Sequence, residues 1–253
     1  MTILSDIEIN ELCTLPKFVV TAKVHSSQPN DADIFILPTT KTYFSYESEN
    51  VIKGKYKSQF SDVGIIHHRG LTDEEKANYP LMIKPFSDKQ VRQTENGNKI
   101  ISYGLSSFGY DVTLASEFKV FCNINSSTID PLNFNDSTYV DINDDVCILP
   151  PNSYALGRTR ECFNLPRDIT AVCLSKSTYA RAGCIINATV AEAGWSGELV
   201  IEICNATSLP LKIYANQGIA QLLFFKGNVP CAVSYADRNG KYMHQKGIQL
   251  PIG

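Results

Sequence analysis

The chain has 253 residues, 43% hydrophobic and 19% charged, with a formal net charge of −3 at pH 7. That balance suits a globular protein with a sizeable core and supplies no global basic field for nucleic acid or an anionic membrane, so any phosphate ligand must be captured by a local cluster. No apolar run is long enough to span a bilayer, and MTILSDIEINEL carries acids where a secretory signal would carry cations, which points to the cytoplasm. The eight cysteines, at 13, 122, 147, 162, 173, 184, 204 and 231, form no CxxC pair and mostly sit in apolar runs. They read as buried, reduced thiols, as expected in that compartment.

Residues 3–13 predict a short helix, with Ser5 as its cap, Glu8 three residues on, and Ile3, Ile7 and Leu12 sharing a face. From Leu15 to Gly70 the pattern turns strand-like in FVVTAKV, ADIFILP and KTYFSYE, divided by SSQPND and PTT turns. His67, His68 and Arg69 fall in this region. Adjacent residues of a strand point to opposite sides, so the two histidines do not share a metal. LTDEEKANYP (71–80) predicts one or two helical turns entered through Thr72.

From Ile100 onward short β-runs follow at close spacing, with Pro, Asn, Asp and Gly in the turns between them. That pattern argues for a mainly β fold, an antiparallel barrel or double-sheet roll with few helices, rather than a βαβ fold. There is no internal repeat. The tail from Tyr235 is polar and glycine-bearing and reads, on composition, as a mobile terminal loop.

Chemistry-bearing groups concentrate in 174–205, LSKSTYARAGCIINATVAEAGWSGELVIEICN. Lys176, Ser177, Thr178 and Arg181 place two cations and two hydroxyls around one turn, a set that suits a polyphosphate better than a single carboxylate. In the run from Glu198 to Asn205, Leu199, Ile201 and Ile203 point one way, and Glu198, Val200, Glu202 and Cys204 the other. Glu202 then shares its face with apolar neighbours, and desolvation would bring its pKa toward what a general base needs. The same alternation also fits a solvated Glu on an edge strand, or one paired with a structural Arg.

KSTYARAG, EAGWSGELVIEICN, GIAQLLFF and GKYMHQKGIQLP, in this order, with SYGLSSFGYDV (102–112) and LPPNSYALGRT (149–159) before them, resemble the dCTP deaminase family of the trimeric dUTPase-like superfamily. The resemblance runs from about Ile83 to Pro251. It implies a dUTPase-like core over 83–253 whose C-terminal tail is a flap closing on nucleotide. Residues 1–82 then hold the first helix and an insertion of unassigned role. It also implies hydrolytic deamination of dCTP to dUTP and ammonia by a homotrimer with sites built between subunits, and leaves dUTP or dTTP as further ligands.

The zinc nucleobase deaminases carry H-x-E and P-C-x-x-C. Here His25, His67, His68 and His244 lack that context and CxxC is missing, so the expected reaction needs no zinc and no protein-held metal. Glu202 matches the family's catalytic Glu, with Ser177 and Arg181 holding water and polarising the site. Val200, Ile201 and Glu202 would meet the cytosine. The triphosphate would meet the segment Lys176, Ser177, Thr178, Tyr179, Ala180 and Arg181, with Gln221, Tyr235, Lys241 and Gln245, and would bring Mg²⁺ on its own oxygens. Gln221 could instead satisfy backbone, and Tyr235 could be core. Glu192 takes the position of the acid beside the sugar, which in the related dUTPases activates the attacking water, while the prolines that flank this turn in close relatives are missing. Two competing readings stay open: a dUTP pyrophosphatase or bifunctional enzyme, which would release pyrophosphate, and a nucleotide-binding regulator without turnover.

Overall fold

The computed structural model describes residues 1–15, 19–24, 63–69, 73–78, 80–124 and 126–252. The chain divides into two units, one of Met1–Cys13 with Leu81–Gly253, the other of Thr14–Pro80.

The first strand, β1 (Thr2–Ile3), is followed by helix α1 (Asp6–Cys13). Ser5 and Glu8 cap the helix reciprocally: the Ser5 backbone N–H donates to Glu8 Oε2 at 3.0 Å and the Glu8 N–H to Ser5 Oγ at 3.4 Å. These bonds from Ser5 hold the Glu8 carboxyl below its ordinary value. The expected apolar face is corrected. Ile9 and Cys13, one turn apart, are buried with Leu12 against them, whereas Ile7 is exposed and Ile3 belongs to β1. The helix starts only after its cap, so the period counts from Asp6.

In the smaller unit β2 (Val19–Val24) and β3 (Val63–Arg69) pair antiparallel, with a register shift between Thr21 and Ala22. Helix α2 (Asp73–Asn78) follows, as expected after Thr72. His67 and His68 lie on β3, while ADIFILP and KTYFSYE lie outside the described residues.

The larger unit continues through β4 (Ile83–Lys84), β5 (Val91–Gln93), β6 (Lys99–Ser106), β7 (Gly109–Phe121), β8 (Tyr139–Asn143), β9 (Val146–Leu149), β10 (Tyr154–Asn164) and β11 (Ile169–Ser175). Helix α3 (Ser177–Arg181), β12 (Cys184–Asn187), β13 (Ser196–Asn205), β14 (Leu211–Tyr214) and β15 (Gly218–Lys226) complete it. Its main sheet runs β15-β7-β10-β13-β12, with β11 on β15. Ser175 Oγ donates to the Ile186 carbonyl at 3.0 Å and accepts from the Ile186 N–H at 3.1 Å, and Ala171 and Ala191 exchange backbone bonds. These contacts bring β11 back to β12 and curl the antiparallel sheet into a roll, the mainly β architecture read from the short strands. Tyr110, Phe118, Phe163, Ile201 and Phe224 fill the interior, each such apolar side chain contributing about 1.5–3 kcal/mol on full burial.

One acid is inside. The β10–β13 register slips between Arg158 and Cys162, and a bulge of this kind re-aims side chains. Thr159 Oγ1 bridges the gap, donating to the Glu161 carbonyl at 2.7 Å and accepting from the Leu199 N–H at 3.0 Å. The Glu161 carboxyl, 2% exposed, accepts from the Thr113 N–H and hydroxyl at 3.0 and 2.9 Å. Burial outweighs these bonds and pushes its pKa up to about 7. A carboxyl raised on folding stabilises the fold at low pH and loses that contribution as pH rises through its folded value. Glu161→Gln should therefore melt within a degree of the parent at pH 4 and several degrees above it at pH 8, by calorimetry at both pH values.

Candidate active site

The strand registers fix which side chains meet. Leu156 lies opposite Glu202 and Tyr154 opposite Cys204 across β10 and β13. Leu156 also lies opposite Lys119 on β7, and Phe121 of β7 opposite Tyr139 on β8. Directly opposed residues share a face, as do alternate residues along a strand. Glu202, Tyr154 and Tyr139 therefore project from one side of the sheet, away from the core that holds Leu199, Ile201 and Ile203.

On that side lies a cleft of about 930 Å³. Tyr139, Tyr154, Val200 and Glu202 form its floor, the segment from Thr189 to Ala193 with Trp195 forms one rim, and Tyr235, Tyr242, Gln245 and Leu250 cover it from the tail. The cleft joins a mostly apolar and aromatic lining to a few placed polar groups, the usual character of a small-molecule site.

Glu202 is half-buried, and burial pushes its pKa up to about 6. Its Oε2 is fully buried and has no hydrogen-bond partner among the described residues. Neither the solvated nor the Arg-paired alternative describes it, since among the described residues no Arg pairs with Glu202 and the carboxyl is not fully solvated. Buried polar atoms without partners are rare in native structures, and each asks for an explanation.

Composition predicted a mobile tail, and here the structure corrects the sequence reading: the tail is docked. The His244 N–H donates to the Ser196 carbonyl at 2.7 Å, the Glu198 N–H to the Gln245 carbonyl at 2.9 Å, and Gln245 Nε2 to the Glu198 carbonyl at 2.8 Å. The Trp195 indole N–H reaches the Tyr242 carbonyl at 2.9 Å, and the Gly247 N–H the Glu198 carboxylate at 2.7 Å. Arg238 pairs with Glu192 and sits over the Tyr235 ring. Polar composition could not reveal these bonds because most of them use backbone groups. The close approach depends on Gly197, at φ +150°, where a Cβ would come within 2.8 Å of the Gln245 nitrogen.

The expected site residues do not all meet in this cleft. Val200, Glu202, Glu192, Tyr235 and Gln245 all line the cleft. Lys241, on the tail, donates to the Ile252 carbonyl. Ile201 is 0% exposed and its side chain belongs to the core. Ser177, Thr178, Ala180 and Arg181 are exposed on or beside α3, away from this lining, and Thr178 instead borders a separate groove with Arg92 and Lys99. Tyr179 is buried, its hydroxyl accepting from the Tyr214 N–H at 3.0 Å. Lys176 is held in a largely buried pair with Asp111 at 2.6 Å, so its charge is already matched, against the expectation that it is free for phosphate. Gln221 bonds Ser106 at 3.2 Å and lies outside the cleft.

Tyr139, Tyr154, Trp195 and Tyr242 were not anticipated as site residues. Alternation alone could place the two strand tyrosines on a face, but only the register across four strands shows that it is the face of Glu202. Gly197→Ala should lift the tail from β13. Limited trypsin digestion is expected to cut after Arg238, Lys241 or Lys246 about tenfold faster in the variant, with the remaining core intact.

Among the described residues no three His, Cys, Asp or Glu side chains cluster as a metal site. The dCTP deaminase-like family model matches residues 66–227. A dCTP deaminase of Paraburkholderia phymatum is 57% identical over 170 residues, 67% of this chain and 90% of that protein. One of Burkholderia mallei is 56% identical over the same shares. Among solved structures, that of 2'-deoxycytidine 5'-triphosphate deaminase from Agrobacterium tumefaciens is similar at TM-score 0.43 and 18% identity, over 58% of this chain and 44% of that one.

Proposed function

The chain belongs to the dCTP deaminase-like family, and from that membership we propose that it converts dCTP and water to dUTP and ammonia with Glu202 as general base. The observation that carries the assignment of the base is the orphaned, half-buried Glu202 carboxyl in the cleft. With a pKa near 6 it is mostly ionised at neutral pH and still basic enough to hold a proton briefly. Water oxygen bonds to C4 of the pyrimidine as one of its protons passes to Glu202. Glu202 then gives that proton to the exocyclic amine, the C4–N bond breaks and ammonia leaves, while the second water proton ends on N3. This route draws on side chains alone and needs no zinc.

Ser177 and Arg181 act, on this reading, from a second copy of the chain. Their exposure on or beside α3 leaves them available to a neighbour, and closed ring symmetry permits a homotrimer with three shared sites. Magnesium would be carried on the triphosphate oxygens. The donor set fits that role: Glu192 is already paired with Arg238 and Glu202 is, on this reading, kept for the base, so the ion's oxygens would come from the phosphates and water. The same cleft would accept dUTP or dTTP as further ligands.

Purified protein given dCTP and Mg²⁺, with products separated, should yield dUTP and ammonia. Glu202→Gln should lower kcat by about 10²–10⁴. In the parent, kcat/KM should fall about tenfold per pH unit below pH 6, because the base form is lost as pH drops through the raised pKa. Undiminished turnover in the variant would move the base to Glu192, and pyrophosphate in place of ammonia would identify a pyrophosphatase.

A further inference from the structure

Two tyrosines stand beside the catalytic carboxyl without a role in the steps above. Tyr139 opens β8 and Tyr154 opens β10. Their rings meet edge to face at 5.8 Å, and their hydroxyls are hydrogen-bonded to each other. Phe121 stacks on Tyr154 at 5.2 Å and Phe134 on Tyr139 at 5.8 Å, so both rings are held from behind. Tyr154 is the diagonal neighbour of Glu202 across β10 and β13, since it opposes Cys204 two residues on.

Two hydroxyls contain two donors, and their mutual bond consumes only one of them. A second O–H is therefore left to point elsewhere. Both tyrosines line the cleft that Glu202 lines, where Oε2 is buried with no partner among the described residues. A residue pair with a spare donor and a residue with a spare acceptor thus line the same cleft.

We propose that the Tyr139–Tyr154 pair is the positioning partner of Glu202: its outward proton is given to Oε2, directly or through one water, when nucleotide fills the cleft. The other carboxyl oxygen is then turned toward the reacting water. The inference rests on the reading of Glu202 as the base. Other ionisable groups around Glu202 are Cys173 on β11 and Cys204 on β13, Tyr235 and Tyr242 from the tail, and Glu192 with Arg238 at the rim. Along the same face lie the Arg158 pairs with Glu117 and Glu198, and the Lys119–Asp141 pair. Arg158 is shared by two carboxylates and Lys119 is taken by Asp141, so neither cation is left over for Glu202, and the two tyrosines supply the surplus proton.

Tyr→Phe keeps the ring packing and removes only the hydroxyl. A donor to the ionised carboxylate lowers its pKa, so its removal should move the acid limb of kcat, which reports the nucleotide-bound enzyme, up by about one pH unit. We expect Tyr139→Phe and Tyr154→Phe each to lower kcat by about tenfold with KM changed less than twofold. The double variant should be no worse than the worse single one, because the pair acts as a unit. A carboxyl infrared band, assigned by its loss in Glu202→Gln, should titrate about one unit higher in the dCTP-bound variants. Unchanged kcat and acid limb in all three variants would overturn the proposal, as would an effect confined to KM. Failure of both single variants to fold would assign the pair to packing and overturn it as well. If the parent gives no dUTP, the proposed function fails by itself, and the infrared titration with bound nucleotide still decides whether the pair holds Glu202.

Discussion

A carboxylate cannot be half-withdrawn from water unless something else holds the backbone beneath it. In β13 that hold is the inner face, Leu199, Ile201 and Ile203, seated in the core at 7%, 0% and 0% exposure. Side chains of a strand alternate, so anchoring these three leaves Glu202 no choice of side. Slipping the register by one residue would bury the acid in the core and turn Ile203 into the cleft. The apolar face is thus what makes the acid usable: the desolvation that raises Glu202 follows from where its neighbours must go.

Periodicity made much of this legible. The strand spanning Glu198 to Asn205, its inner and outer residues and the mainly β class all follow from short alternating runs between turn residues. What periodicity could not show was which other strands share the outer face. Tyr139 and Tyr154, 63 and 48 residues from Glu202 in sequence, reach it only through long-range strand pairings. A single sequence holds no record of those pairings. Helix α1 was misjudged for a local reason: the apolar residues Ile3 and Ile7 look helical in spacing, yet one lies in a strand before the Ser5 cap and the other faces solvent.

The tail shows a different limit. Its polar residues predict solvation, but order there comes from backbone groups meeting the start of β13, which no side-chain pattern encodes. Gly197 is the visible trace, because only a residue without a Cβ permits that approach. The basic segment beside α3 divides in the same way. Lys176 is spent on Asp111 inside the chain, whereas Ser177 and Arg181 stand outside it. One turn of sequence thus serves both the interior of one subunit and, on the proposed trimeric reading, the site of the next.

The roll closes at few points: Ala171 and Ala191 exchange one backbone pair, and the Ser175 hydroxyl grips both backbone groups of Ile186, where a regular ladder would use many. A joint made by a side chain has few bonds to share a load, and local opening concentrates where such bonds are few. The next residue, Asn187, is the strand partner of Glu202, and α3 leaves from the other lip of the same joint. Breathing at this seam would disturb Glu202 on one lip and the Ser177–Arg181 helix on the other together, which on the proposed reading ties the timing of the two halves of the chemistry to the same few bonds.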